Sequence, residues 1–262
     1  MNGESLDFLL TADHWSLGDP DAFPARVLEH LGYSLLALVL AFLFAFPLGL
    51  LIGHTDRCSF LAINVGNAGR ALPTLGILML VLSLAGTGLV PVIVALVVLA
   101  VPPLLTTTYA GIDSVSRDAV DAARGMGMKE WQIAWRVELP IALPIVFGGI
   151  RNATLQVVST ATIAAYVGLG GLGRYLFDGL ALRDYPRVLA GAVVLAFLAV
   201  TLDLLLGALQ RLLVSPGVDG RALRGPRRPE QATTGPVPAP VAGADGSSAH
   251  APVEEDVLNP TR

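Results

Sequence analysis

A single cysteine, Cys58, stands in 262 residues. One thiol closes no internal disulfide and builds no cysteine-ligated metal site. Histidine is almost as scarce. His14, His30, His54 and His250 are scattered without the spacing of metal ligands, so no metal site is expected. Charged residues make up only 15% of the chain and aromatics 6%. No nucleic-acid partner is expected. Catalytic constellations are missing as well: no Ser-His-Asp or Cys-His set falls where its members could share a cavity, so the chain is not expected to be an enzyme by itself. The first 30 residues lack the basic start of a signal peptide, since Glu4, Asp7, Asp13, Asp19, Asp21 and Glu29 face Arg26 alone.

What the chain has instead is apolar sequence. Hydrophobic residues form 53% of it and the mean hydropathy is +0.65, values of an all-α polytopic membrane protein. About five transmembrane helices are expected, each with the roughly 20 apolar residues that a bilayer requires. Residues 31–53 form the first, with Pro47 near its far end, preceded by short interfacial pieces at 6–10 and 23–31. Residues 60–85 form an interrupted second span that breaks at Pro73-Thr74 and so lines protein or water rather than lipid. Residues 89–109 form the third, with Pro102-Pro103 breaking it before Thr106. The fourth covers 141–166, and 187–214 the fifth. Between the last two, residues 168–173 read as a glycine-hinged outer loop and 174–186 as polar outer chain. The run Gly168 to Gly173 lacks the strand and the Lys-Ser/Thr of a phosphate loop. Beyond 214, four arginines (Arg221, Arg224, Arg227, Arg228) open a Pro/Ala/Gly-rich tail, 215–262, expected to be disordered.

Between the third and fourth spans lies a polar island, residues 114–144. It holds Arg117, Arg124, Lys129 and Arg136 against Asp118, Asp121, Glu130 and Glu138. Each charge at a bilayer centre costs about 3 kcal/mol, so this stretch lies outside the lipid. Ser116 is placed to cap a helix with Asp118 in its first turn. Val120, Ala123 and Met126 give that helix an apolar stripe, and Gly125 and Gly127 stop it. A second helix is expected over 128–137, with Trp131, Ala134 and Trp135 on one face, closed by Pro140 and Pro144. A pair of amphipathic helices on a membrane surface would favour Lys and Arg on its polar face, whereas this loop is charge-balanced.

Asp121-Ala122-Ala123, then three residues, Gly127, nine residues and Val137-Glu138-Leu139-Pro140 resemble the EAA loop of ABC importer membrane subunits, with Asp for Glu and Val for Ile. The resemblance implies that residues 114–140 dock on a cytoplasmic ATPase. Small Ala122 and Ala123 suit close backbone approach, Gly127 a sharp turn, and Trp131 an interface anchor. The run from Thr160 to Gly173, with the stretch AARGMGMKEWQ from Ala122, is similar to the glycine betaine/carnitine/choline branch of those importers. Together these likenesses cover about residues 30–213.

The resemblance implies a type I ABC importer permease fold. It further implies a second permease subunit, identical or sister, and an extracytoplasmic substrate-binding protein. ATP and Mg would belong to the ATPase, with no cofactor bound by this chain. On this reading residues 1–30 are an extracytoplasmic segment, 31–214 the permease domain and 215–262 a cytoplasmic tail. The acidic start, the odd number of spans and the basic loop and tail agree with an outside N-terminus and a cytoplasmic C-terminus in a cell membrane. The arginines of the outer segment, Arg174, Arg183 and Arg187, run against that rule.

Thr74, Ser83, Asn152, Gln156, Ser159 and Thr160 are candidate lining for a translocation path; the same residues also serve as packing between membrane helices. Asp203 reads as a structural carboxylate near the end of its span, paired with Arg211 or capping, or as an ion site. Arg70 and Arg151 read as snorkelling, carbonyl-paired or lipid-bound. An amino-acid permease, and an ion-coupled carrier or intramembrane enzyme using Asp203, Arg151 or Asp113, are the other readings.

Overall fold

The computed structural model describes residues 3–71 and 73–214, and among these no strand occurs. The expected tail lies outside the described residues. α1 (Gly3–Leu10) and a 3-10 turn (Ala12–Trp15) lead into α2 (Phe23–Thr55). The separate interfacial piece expected at 23–31 is therefore the start of the first span. Proline in the first helical turn gives up only a donor that had no partner. Phe23, fully buried, stacks on Tyr175 with ring centroids 4.3 Å apart and fixes that end. At about 1.5 Å per residue, the 33 residues of α2 outrun the ~30 Å hydrocarbon core.

α3 (Ser59–Ala71) and α4 (Thr74–Ala85) meet at Pro73 with a bend of more than 40°. This is the interrupted span the sequence predicts. α5 (Leu89–Asp113) follows and is the helix around which the others pack, touching α2, α3, α4 and α8. Small residues permit this. Along α2, Ala37, Ala41, Ala45 and Gly49 are buried, and a Cβ on Gly49 would stand 2.8 Å from the Thr108 Cβ of α5. Gly66 and Gly69 of α3 approach Thr106 and Pro102 as closely, and Gly149 approaches Thr107. Where lipid gives no hydrophobic drive between helices, such close backbone approach is what holds them.

The break expected at Pro102-Pro103 does not occur, and α5 runs on to Asp113. The Thr106 hydroxyl donates to the Pro102 carbonyl at 2.9 Å and the Thr107 hydroxyl to the Pro103 carbonyl at 2.7 Å. These are i−4 bonds of threonine side chains back to the helix; the carbonyls that lose a donor to the two prolines are those of Val98 and Leu99, one turn earlier.

α6 (Arg117–Gly125) and α7 (Glu130–Ile133) form the polar island; a π-helical segment (Ala134–Glu138) then passes without a gap into α8 (Leu139–Ala161). Pro140 and Pro144 thus do not close the second short helix. Pro140 sits in the first turn of α8, immediately after a wider turn in which Leu139 N–H reaches back to the Ala134 carbonyl. That extra residue per turn relieves the clash a proline ring makes with an ordinary helix.

A 3-10 segment (Thr162–Val167), α9 (Gly173–Leu182) and α10 (Tyr185–Leu213) complete the fold. The expected polar chain at 174–186 is largely helix, held by Tyr175, whose hydroxyl donates to the Asp21 carbonyl. Asp184 caps α10 through Arg187 N–H at 3.2 Å. Among the described residues four helical stretches are long and apolar enough to cross a membrane (Phe23–Thr55, Leu89–Asp113, Glu130–Val167 and Tyr185–Leu213), five where the bent α3–α4 pair is counted as one span.

Candidate functional site: a docking loop and a polar cavity

α6 presents two faces. Val120 and Ala123 turn inward onto Val115 and Ile133, with Met128 and Val137 packed alongside. Asp121 and Ala122 are exposed. Of the two alanines expected at a docking surface, only Ala122 lies on one; Ala123 lets α6 and α7 close on each other. Ser116 holds the N-cap position without a side-chain capping bond, its carbonyl instead accepting from Ala119 and Val120 N–H.

The end of α6 is built around Gly127, at φ +82°. Gly127 N–H donates to the Arg124 carbonyl at 2.9 Å, and Met128 N–H to the Ala123 carbonyl at 3.2 Å. These two bonds define a left-handed helix end, a conformation that glycine adopts at no steric cost. Arg124 clamps the turn from outside. It gives two bonds to Glu130, of 2.9 and 3.1 Å, and one to Asp121 at 3.1 Å. The Glu130 carboxylate is the main reason the Arg124 guanidinium titrates above its ordinary range.

Trp131, expected as an interface anchor, is 60% exposed. With Ala134 and Trp135 it faces Phe46, Pro47, Leu50 and Leu51 of α2 across an apolar groove of about 410 Å³. Trp135 packs edge-on to Phe46 at 6.2 Å. Leu139 is half-buried and Pro140 exposed, at the root of the loop.

The candidate path residues divide. Thr74, Asn152 and Gln156 line one cavity of about 290 Å³, together with Gly66, Gly69, Leu99, Pro102, Pro103, Thr106 and Thr107. Asn152 and Gln156 are one helical turn apart on α8 and so share a face. Ser83 lies near the far end of α4, exposed, and Ser159 and Thr160 lie beyond the cavity; none of the three lines it. The Ser159 carbonyl accepts from the Thr162 hydroxyl at 2.6 Å. Among the described residues the cavity lining contains no charged side chain and no aromatic.

Asp203 pairs with Arg151 of α8 through two contacts, rather than with Arg211. The carboxylate and the guanidinium thus answer each other across the α8–α10 contact. Nothing is described for the Arg70 side chain.

Residues 45–215 match the model of the family described as binding-protein-dependent transport system inner membrane component. The chain belongs to that family. A relative, the glycine betaine/carnitine/choline transport system permease protein OpuCB of Bacillus subtilis, is 38% identical over 192 residues, 73% of this chain and 88% of the relative. The osmoprotectant import permease protein OsmW of Salmonella typhimurium is 35% identical over 213 residues, covering 78% of this chain and 98% of that one. In fold, the chain is similar to a subunit of the MetNI methionine ABC transporter in an inward-facing conformation, with TM-score 0.65 and 20% identity over 82% of this chain and 100% of that one. This is the type I importer permease fold, and this inner membrane component has its several apolar helices.

The glycine run of this inner membrane component is neither a phosphate cradle nor a free hinge. Gly171 N–H donates to Glu29 of α2 at 2.8 Å, and Arg26 holds the same carboxylate at 2.8 Å while also pairing with Asp21. His30 Nε2, fully buried one residue on, donates to the Val158 carbonyl at 2.9 Å where α8 tightens into the 3-10 segment. Glu29 and His30 went unread in the sequence because their partners, Gly171 and Val158, lie more than a hundred residues away; the partial signal was a charge cluster at the head of an apolar run.

Proposed function

We propose that this chain is the membrane-spanning permease subunit of an ATP-driven importer for a small osmoprotectant of the glycine betaine/carnitine/choline/proline betaine class. The observation that carries the reading is likeness to permeases of that naming across nearly their whole length, joined to a loop whose exposed face is available to a partner. ATP and Mg are used by a separate ATPase that docks on residues 114–140, through Asp121, Ala122 and Gly127 and the loop root at Leu139-Pro140. Ala123 supports that face from behind, and Trp131 stands exposed beside it. A second permease subunit completes the path, and an extracytoplasmic binding protein delivers the solute. The N-terminal segment 1–30 faces outside and the tail 215–262 the cytoplasm, as the basic loop favours.

The cavity supports a passage rather than a tight site. Quaternary ammonium ligands are held by aromatic faces, and this lining has none. At about 290 Å³ it lies at the small end of ligand pockets, roughly 300–1,000 Å³. Thr74, Asn152 and Gln156 supply hydrogen bonds to a solute already released by its binding protein. The pairing of Asp203 with Arg151 speaks against a free carboxylate as an ion-coupling site.

The test is co-purification of the tagged chain with the ATPase encoded beside it, then uptake of labelled glycine betaine in vesicles. Retained ATPase with ATP-dependent uptake is expected. Uptake without an ATPase would overturn the reading, and ATPase retention with uptake of an amino acid but not betaine would move the substrate class. In the same assay Asn152→Leu and Gln156→Leu are each expected to slow uptake roughly threefold to tenfold, the worth of one hydrogen bond. Ser83→Leu, off the cavity, is expected to leave it unchanged.

A further inference from the structure

His54 lies in the last turn of α2. In the structure it stands between two carboxylates of the docking loop. Its Nδ1 lies 2.7 Å from Glu138 at the end of the π-helical segment, and its Nε2 lies 3.2 Å from Glu130 at the start of α7. Glu138 is buried at 4% exposure, deep enough that its carboxylate needs a partner. Each ring nitrogen thus stands within hydrogen-bond reach of one carboxylate oxygen.

The contacts continue outward. Glu130 grips Arg124, and Arg124 holds Asp121 on the exposed face of α6. An unbroken line of polar contacts thus runs Asp121, Arg124, Glu130, His54, Glu138. A second tie is parallel to it, between Asp56 just beyond α2 and Arg117 at the head of α6, at 3.1 Å. The end of α2 is therefore fastened to both ends of the docking helix. The apolar groove between α2 and the two tryptophans adjoins this line, with His54 and Glu130 in its lining.

We propose that His54 is the positioning residue through which movement of the docking helix α6 is delivered to the first span α2 and to the root of α8. The inference rests on the reading that an ATPase docks on this loop. A pull on Asp121 or Arg124 reaches α2 through a side chain wedged between two carboxylates, instead of being lost as flexing of the loop. His54 touches no solute; it acts through Glu130 and Glu138.

The experiment uses the full chain assembled with its ATPase and companion subunit in proteoliposomes, with loaded binding protein added. Two quantities are read in the same vesicles: ATP hydrolysed and solute imported. His54→Ala is expected to keep the ATPase in the complex and to hydrolyse ATP, while solute imported per ATP falls about tenfold. Glu130→Gln, at an exposed position where misfolding is not at issue, is expected to lower the same ratio about threefold. The double variant is expected to be no worse than His54→Ala alone, because both lie on one line. A merely structural histidine would lower assembly and both quantities together, leaving the ratio unmoved. A wild-type ratio in His54→Ala overturns the proposal; should that variant assemble poorly, a wild-type ratio in Glu130→Gln overturns it. Failure of the wild type to hold an ATPase or to import would instead bring down the importer reading, and the inference with it.

Discussion

Gly127→Trp is expected to leave the chain in the membrane and to detach it from its ATPase. The glycine stands at φ +82° in an exposed turn, and no atom lies within 4 Å of where a Cβ would be built. Steric clash inside the fold is thus not the cause of the loss. What a side chain does here is disfavour the left-handed conformation by about 1–2 kcal/mol, against the two hydrogen bonds that end α6. A penalty of that size shifts the population of the correct turn by a factor of about 5–30. The misplaced turn carries Arg124 away from Glu130, and with it the orientation of Asp121. Tryptophan adds bulk on the face proposed to meet the ATPase, so uptake is expected to fall by at least that factor while the amount of inserted protein stays within about twofold. Gly127→Asn is the control, since asparagine tolerates the left-handed region, and should keep most uptake. Pull-down of the ATPase, membrane fractionation and betaine uptake check the three statements. Loss of the inserted protein in Gly127→Trp would show that the glycine serves the fold and not the docking.

Much of this loop was legible because its constraints are local. The left-handed turn needs glycine at 127, the inward stripe needs Val120 and Ala123, and both follow from helical phase along a few residues. The spans were legible for the same reason. Prolines were misjudged where the cost was read from soluble helices, about 3 kcal/mol for an interior proline. α5 continues through Pro102-Pro103 among the helices packed around it, and the π-helical turn makes room before Pro140. Neither accommodation is visible in the local sequence. Pairs of charges distant in sequence were not legible at all. Asp203 finds Arg151, 52 residues away, and His54 finds Glu138, 84 residues away. Which polar residue faces the cavity depends on which way α8 is turned toward α5. Ser159 and Thr160 follow the same helical stripe as Asn152 and Gln156, and what leaves them out is how far along α8 the cavity reaches, which is set by tertiary packing.

Gly173→Ala is expected to be the most destabilising single-methyl change in the segment between α8 and α9. A Cβ at 173 would lie 2.0 Å from the Thr162 carbonyl oxygen and 2.8 Å from its carbon. Both obstacles are backbone, fixed by the 3-10 segment, so neither moves aside as a side chain would. Overpacking of this kind costs about 1–3 kcal/mol. For a chain of this size each kcal/mol lowers Tm by roughly 2–4 °C, so a fall of about 5–10 °C is expected in detergent. Gly170→Ala makes an instructive contrast. Its Cβ would come within 1.9 Å of Glu29 Oε2, an even shorter approach, but the obstacle is the end of a flexible side chain. Glu29 can swing clear at the expense of its bonds to Gly171 and Arg26, so a smaller fall in Tm is expected. Differential scanning fluorimetry on the purified chain ranks the two. If Gly170→Ala proved the more damaging, the Glu29 contacts would outweigh backbone clearance, and α2 would be held at this end chiefly by its charges. The expected order places the constraint in the backbone, where the tight passage from α8 into α9 leaves no space at 173 for any side chain.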